Sequence, residues 1–280
     1  MSSVRRSVQV IDLLAQKGPL GVRAVAQQLA LPLGSVHRIL VDLAAEAVVE
    51  RTPSGEWELS YRLLTITGRQ LDRVEFARLA RPHCERIAEA TRETVNVSAV
   101  SGTAGVCIDK VRGNEGMQLD ARIGSRGPLY CGGAGKAMLA YLSPEAQQRV
   151  LDTPLPALTP HTITNADALR REIARVRERG YSIDNEEVVL GVHCVGMPIL
   201  DRSGRAVGGI SITGPTPKLP GPALDVLVAR LSDACEHISR RLGYGGHWPP
   251  TDTPAVAGKS TASAAVNQER ARRSRNVASA

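Results

Sequence analysis

Apolar positions recur at helical spacing from the start of the chain. Val4, Val8, Ile11 and Leu14 form one stripe of a helix, which Gly18-Pro19 ends. Val22, Val25 and Leu29 predict a second, shorter helix, broken at Pro32, where a helix interior would lose a hydrogen bond. Val36, Ile39, Leu40 and Leu43 predict the buried stripe of a third helix. Its opposite face presents Gly34, Arg38 and Val41, flanked by Ser35, His37 and Asp42. Residues 48–51 and 57–59 then read as two short strands about the turn Pro53-Ser54-Gly55. Three short helices followed by a hairpin is the plan of a winged helix-turn-helix, whose third helix enters the major groove of DNA.

Leu64, Leu71, Val74, Phe76 and Leu79 lie among five arginines and predict a linker helix with an apolar seam, with Pro82 near the start of another helix. The seam could pair two subunits or dock on its own chain. Beyond residue 93 the pattern becomes α+β. Residues 94–100 alternate strictly and 105–111 follow as a hairpin partner. Residues 117–122, 181–184, 192–200 and 207–213 read as further strands. Helices are predicted over 134–142, 144–151, 167–179 (closed by Gly180) and 223–242.

The net charge of +7 is unevenly spread: residues 1–60 are neutral, 61–82 carry +3, 83–245 carry +1 and 246–280 carry +3. Neutrality of the first segment means that DNA binding must rest on placement, namely Arg5, Arg6, Arg23, Arg38 and Arg51. His37 and Arg38 can reach base edges or phosphates, Ser35 can hold a phosphate near a helix N-terminus, and Arg51 sits on the wing. Aromatic residues make up 3% of the chain, too few for the stacking platforms of single-strand or RNA binders, so duplex DNA is the expected nucleic acid. The most apolar uncharged stretch, 188–200, is interrupted by His193 and falls short of the roughly 20 residues a bilayer span needs. No apolar signal region follows Arg5 and Arg6. Five cysteines with no C-x-x-C pair fit reduced thiols, so a cytoplasmic protein is expected.

Residues 6–14 and 31–40 resemble the opening of the IclR family of bacterial transcription regulators. Leu33 and Gly34 depart from it, standing where the family has a basic or polar residue and a Ser or Thr, which removes one or two expected phosphate contacts. The resemblance continues in order through 127–140, 158–164, 179–187, 191–199 and 210–215, the family's effector-binding domain. It implies an α+β organisation: a winged helix-turn-helix over 1–62, a linker helix over 63–82, and a GAF-like α/β effector-binding domain over 83–244. Residues 245–280, rich in Gly, Pro, Ala, Ser and Thr, read as a disordered tail with a basic cluster at Arg270, Arg272, Arg273 and Arg275. The resemblance further implies a homodimer or dimer of dimers, operator DNA as one partner and a small organic or aromatic acid as the other.

The residues themselves support a pocket in part. Period two puts Ser211 and Thr213 on one face of a strand, opposite Ile210 and Ile212, and buried hydroxyls need partners. Gly132–Gly135 precede a helix, whose first free N–H groups attract carboxylates. Taken alone, these also fit solvated hydroxyls and a tight turn. Carried over from the family, the effector contacts are Gly133 and Ala134 through their backbone, with Asp184, Cys194, Ser211 and Thr213. Thr213 adds a methyl relative to the family's Ser.

Gly132–Lys136 is not a phosphate loop: Tyr130 and Ala137 stand where that motif needs Gly and Ser or Thr. The rival to a regulator is a thiol hydrolase using Cys131, with His161 or His193 as base. A metal site from Cys131, His193 and Cys194 is not expected, because adjacent strand residues point to opposite faces. Neither cofactor nor catalysis is expected.

Overall fold

The computed structural model describes residues 2–72, 74–113, 122–215 and 222–251. The chain divides into two compact units that meet in sequence between Glu75 and Phe76.

In the first unit, α1 (Ser3–Lys17), α2 (Val22–Leu29) and α3 (Leu33–Ala45) precede the hairpin β1 (Val49–Arg51) and β2 (Trp57–Leu59), as predicted. Ser2 caps α1 by accepting from the Arg5 N–H. Val10, Leu14, Val25, Val36, Leu40 and Trp57 make the core. Leu20 and Trp57 exchange backbone hydrogen bonds of 3.0 and 2.9 Å, tying the hairpin to the helices. One expectation is corrected here. The buried stripe of α1 is Val10, Leu13 and Leu14, whereas Val4 and Val8 are 71% and 51% exposed. Both stripes satisfy helical spacing, and packing against α3, α2 and the hairpin selects between them.

The single linker helix over 63–82 is also corrected, to two helices: α4 (Arg62–Asp72) in the first unit and α5 (Glu75–Thr91) across the boundary. Pro82 lies inside α5 and not at its start. Its missing N–H forfeits one bond to the Arg78 carbonyl. Both residues are exposed, so water can take that carbonyl, while Phe76, Ala80, Cys84, Ile87 and Ala88 anchor the helix on its other side. The expected seam divides accordingly: Leu64 on α4 is exposed and Phe76 is buried. Arg73 lies outside the described residues.

The second unit is built on a six-stranded antiparallel sheet in the order β5-β4-β3-β8-β7-β6. The strands are β3 (Thr94–Ser101), β4 (Ala104–Val111), β5 (Arg126–Pro128), β6 (Ser182–Asn185), β7 (Val192–Leu200) and β8 (Ala206–Pro215). Residues 114–121, including most of the strand expected over 117–122, lie outside the described residues. Alternation along β8 sorts its two faces. Gly208 meets the Phe76 ring of α5 on one, and Gly209 meets Met138 of α6 (Gly133–Ala140) on the other. The α5 face also carries α9 (Pro222–Arg241), whose Cys235 thiol donates to the Met197 carbonyl at 3.8 Å. Behind α6 lie α7 (Pro144–Leu151) and α8 (Ala166–Arg179), burying Leu139, Val150, Leu169, Ile173 and Val176 together. Gly180 ends α8 at φ 82°, a left-handed position suited to glycine.

Reading everything after residue 244 as a tail stops too early. Trp248 Nε1 donates to Ser232 Oγ at 2.8 Å, and the Tyr141 hydroxyl donates to the Pro250 carbonyl. Arg240 Nη1 holds the Tyr244 and Gly246 carbonyls at 3.0 and 2.7 Å. Composition missed these contacts because, Trp248 apart, they are made to backbone carbonyls, which carry no side-chain signature. Residues 252–280, with the arginine cluster, lie outside the described residues.

Candidate functional site

Two features of the fold carry candidate chemistry. The first is the outer face of α3, where Gly34, His37, Arg38, Val41 and Asp42 are exposed and Ser35 is half-buried, the face the periodicity predicts. Exposed Leu33 extends it. Arg5 and Arg23 are exposed on α1 and α2, and the Arg51 guanidinium lies over the Trp57 ring at 4.7 Å on the hairpin. Arg6 is half-buried, and its Nε is buried with no hydrogen-bond partner among the described residues.

The second is a cavity of about 450 Å³ between the sheet and the start of α6, within the roughly 300–1,000 Å³ range of small-molecule sites. Strand register assembles its wall. Asp184, Cys194 and Thr213 are direct cross-strand partners on β6, β7 and β8, and so form one rung. Ser182, Gly196, Ser211 and Asn96 form the next, across β6, β7, β8 and β3. The six positions expected to contact an effector, Gly133, Ala134, Asp184, Cys194, Ser211 and Thr213, all line this cavity.

α6 begins directly on the sheet. A Cβ on Gly196 would sit 2.3 Å from the Gly133 carbonyl carbon and 2.6 Å from the Ala134 nitrogen. The Ser182 hydroxyl donates to the Gly133 carbonyl, and the Gly133 N–H reaches the Cys194 sulfur. Asn96 Nδ2 donates to Thr213 Oγ1 at 3.3 Å, which donates to Cys194 Sγ at 3.2 Å. Asp184 is 1% exposed, and its Oδ1 accepts the Glu187 N–H at 2.7 Å. Burial raises its carboxyl above the usual range, against the opposing pull of that N–H, of Lys136 and of Cys194.

Behind the cavity lies a group that sequence reasoning missed. Lys136, 2% exposed in a helix whose eight residues are all buried, donates to Glu187 Oε1, to the Ile183 carbonyl at 2.6 Å and to Glu172 Oε1 at 3.1 Å. Three donors meet three acceptors, so the ammonium is satisfied without water. Glu172 also takes Arg179 at 2.9 Å and Arg175 at 3.5 Å. Burial pushes the Glu187 carboxyl up to about 7, although Lys136 pulls it down. Thr159 and Thr162 donate to the Glu186 and Glu187 carbonyls, each at 2.6 Å. The loop carrying Val188 and Val189, which line the cavity and are 39% and 41% exposed, is thus clamped from behind. A lone lysine in the apolar run Ala134–Ala140 is the available signal, and a phosphate-loop motif is too narrow a test to use it.

The hydrolase alternative finds no activated thiol. Cys131 is 2% exposed, and burial with Glu187 and Asp184 nearby pushes its thiol up to about 12. His161 is exposed, and the ring of His193 is engaged with Asn185 Oδ1. Among the described residues, no three or more His, Cys, Asp or Glu side chains are grouped to hold a metal ion, and no helix is long and apolar enough to cross a membrane.

Residues 3–53 match the IclR helix-turn-helix domain, and residues 68–240 match the C-terminal domain of bacterial IclR transcriptional regulators. The transcriptional regulator BhcR of Paracoccus denitrificans is 32% identical over 242 residues, covering 86% of this chain and 85% of that protein. The Thermotoga maritima IclR crystal structure superposes with a TM-score of 0.73 at 31% identity, covering 86% of this chain and 98% of that one. An IclR homologue from Microbacterium hydrocarbonoxydans, crystallised with 4-hydroxybenzoate, gives a TM-score of 0.76 at 25% identity and covers 86% and 99% of the two chains. With both family domains matched in order across the two units, the chain belongs to the IclR family of bacterial transcriptional regulators, DNA-binding proteins under effector control.

Proposed function

We propose that this regulator reads operator DNA through α3 and its neighbours and answers to a small organic or aromatic acid held in the sheet cavity. The observation that carries the reading is the convergence of Gly133, Ala134, Asp184, Cys194, Ser211 and Thr213 on one cavity at the start of a buried helix. First-turn amides of α6 supply donors for a carboxylate, and Ser211, Thr213 and Asp184 supply partners for a hydroxyl. The 4-hydroxybenzoate complex of the Microbacterium homologue supports an acid of this kind. On the DNA side, Arg38 and His37 contact base edges and phosphates, Ser35 a phosphate, and Arg5, Arg6, Arg23 and Arg51 the flanking backbone. Exposed Val41 is an apolar contact for a thymine methyl. The antiparallel six-stranded sheet with helices on both faces is the basis for likening this domain to GAF domains. Exposed Tyr61, Leu64 and Ile66 beside and on α4 support pairing of two chains, so that two winged units meet two half-sites.

The test is a mobility-shift titration of the full chain on DNA flanking its own gene, with and without lactate, benzoate and 4-hydroxybenzoate. An effector changes operator affinity by its differential affinity for the two arrangements, a coupling of about 1–3 kcal/mol. Ser211→Ala weakens acid binding and dulls that response. An operator affinity indifferent to every acid, with calorimetry showing no binding, refutes the acid-effector reading.

A further inference from the structure

We propose that an acid effector enters this cavity with one proton shared between its carboxyl group and Asp184, so that binding takes up a proton and weakens as pH rises. The inference rests on reading the cavity as the effector site, and it concerns how that site pays for placing one anion beside another.

Asp184 lines the cavity and is 1% exposed. Several elements bring titratable groups to face it. From α6 comes Lys136, whose three N–H donors are taken by Glu187, Glu172 and the Ile183 carbonyl. From the loop after β6 comes Glu187, a second carboxyl, whose N–H donates to Asp184. From α8 comes Glu172, a third carboxyl, held by Arg179 and Arg175. From β7 come Cys194, hydrogen-bonded to Asp184, and His193, engaged with Asn185; the segment before α6 adds the neutral thiol of Cys131. Two carboxyls, Glu172 and Glu187, therefore take up Lys136, and among the described residues no cation forms an ion pair with Asp184. Lys136 lies behind the cavity wall, and among the described residues Arg126 is the cationic residue that lines the cavity itself, where it is exposed.

A ligand carboxylate set against the first-turn amides of α6 comes beside this group. The chain Gly133 N–H, Cys194 thiol, Asp184 carboxyl runs from the helix start to the aspartate through a single sulfur. Two carboxylates side by side, one of them the buried Asp184 with no ion-pair partner among the described residues, do not both stay ionised; one proton serves both. The reaction balances as ligand carboxylate plus Asp184 carboxylate plus one proton from solvent, giving a hydrogen-bonded acid–carboxylate pair with no other bond changed. Burial has already raised the proton affinity of Asp184, which lowers the cost of the uptake.

Calorimetry of the full chain with lactate, benzoate and 4-hydroxybenzoate, in buffers of different ionisation enthalpy between pH 5.5 and 8.5, measures the proton count directly. Uptake is expected to approach one proton per ligand at the upper end, with affinity falling up to about tenfold per pH unit there. Asp184→Asn abolishes the uptake and flattens the pH dependence of whatever binding remains, while Glu187→Gln retains the uptake. Binding to the unmutated chain without uptake overturns the inference and leaves the acid-effector reading standing. Uptake that survives in Asp184→Asn, or disappears in Glu187→Gln, overturns it as well. No binding by any of the three acids sinks the acid-effector reading, and this inference with it.

Discussion

Replacing Lys136 by methionine removes the one cation that Glu187 contacts among the described residues while keeping a side chain of similar length. Glu172 retains Arg179 and Arg175, so its loss is partial. Glu187 loses its ion pair, its Oε2 already has no hydrogen-bond partner among the described residues, and the Ile183 carbonyl loses a 2.6 Å bond. Removing one partner of a buried pair costs about 3–5 kcal/mol because the other charge stays behind. The cost depends on pH in a defined direction. The folded protein holds the Glu187 proton up to about pH 7, whereas an unfolded chain releases it in the ordinary carboxylate range. Stability linked to this group is therefore present at acidic pH and lost as pH rises through about 7. Without Lys136 the charged form is costlier still. The variant should therefore lose about 3–5 kcal/mol at pH 8 and clearly less at pH 6, where Glu187 is neutral. Adding Glu187→Leu should recover most of the loss at pH 8, since replacing both members of such a pair by apolar groups is close to neutral. The two tryptophans of the chain allow a clean assay. Trp248 packs on the effector unit, and in a Trp57→Phe background its fluorescence follows urea unfolding of that unit alone. A loss under about 1 kcal/mol, or an equal loss at both pH values, would refute the idea that Lys136 neutralises a buried charge.

Other substitutions probe other parts of the molecule. Arg38→Ala should weaken specific operator binding by about 1–3 kcal/mol if it reads a base, with thermal stability within about 0.5 kcal/mol of the parent; unchanged binding in a mobility-shift titration removes Arg38 from the interface. Gly196→Ala drives a methyl group to 2.3–2.6 Å from the backbone of Gly133 and Ala134. The start of α6 must move, costing about 1–3 kcal/mol or more and the acid-binding geometry; calorimetry showing unaltered acid affinity contradicts this placement. Ending the chain at Gly243 should lower the melting temperature of the effector unit, because it removes Trp248 and Pro250, the partners of Ser232 and Tyr141, whereas ending it at Thr251 should not. If the arginines beyond residue 269 touch phosphates, the shorter deletion lowers the slope of log K against log salt by about 0.9 for every phosphate they neutralise.

The periodicity of the first sixty residues was enough for three helices, a hairpin and the exposed face of α3, because those elements are short and close in sequence. Helical period also marked α8 and α9, β7 read as a strand, and alternation marked β3 and β8 and placed Ser211 and Thr213 together. Tertiary structure decided the rest. Two stripes on α1 obey the same spacing, and packing against α3, α2 and the hairpin chose Val10, Leu13 and Leu14 over Val4 and Val8. Pro82 reads as a helix start by local rule, yet apolar anchors on either side of it carry α5 through. Asp184, Cys194 and Thr213 are distant in sequence and meet through the β6–β7–β8 register, so the family resemblance could name them but no spacing could join them. The partners of Lys136 were out of reach of the sequence for the same reason. A lysine in an apolar helix is a misfit in one dimension, and it becomes a satisfied ion only when β6, the loop after it and α8 bring three acceptors to its ammonium. Local propensity selects elements at a cost of tenths of a kcal/mol per residue. Burying a charge costs several kcal/mol, so its position is settled only where the fold supplies every partner at once.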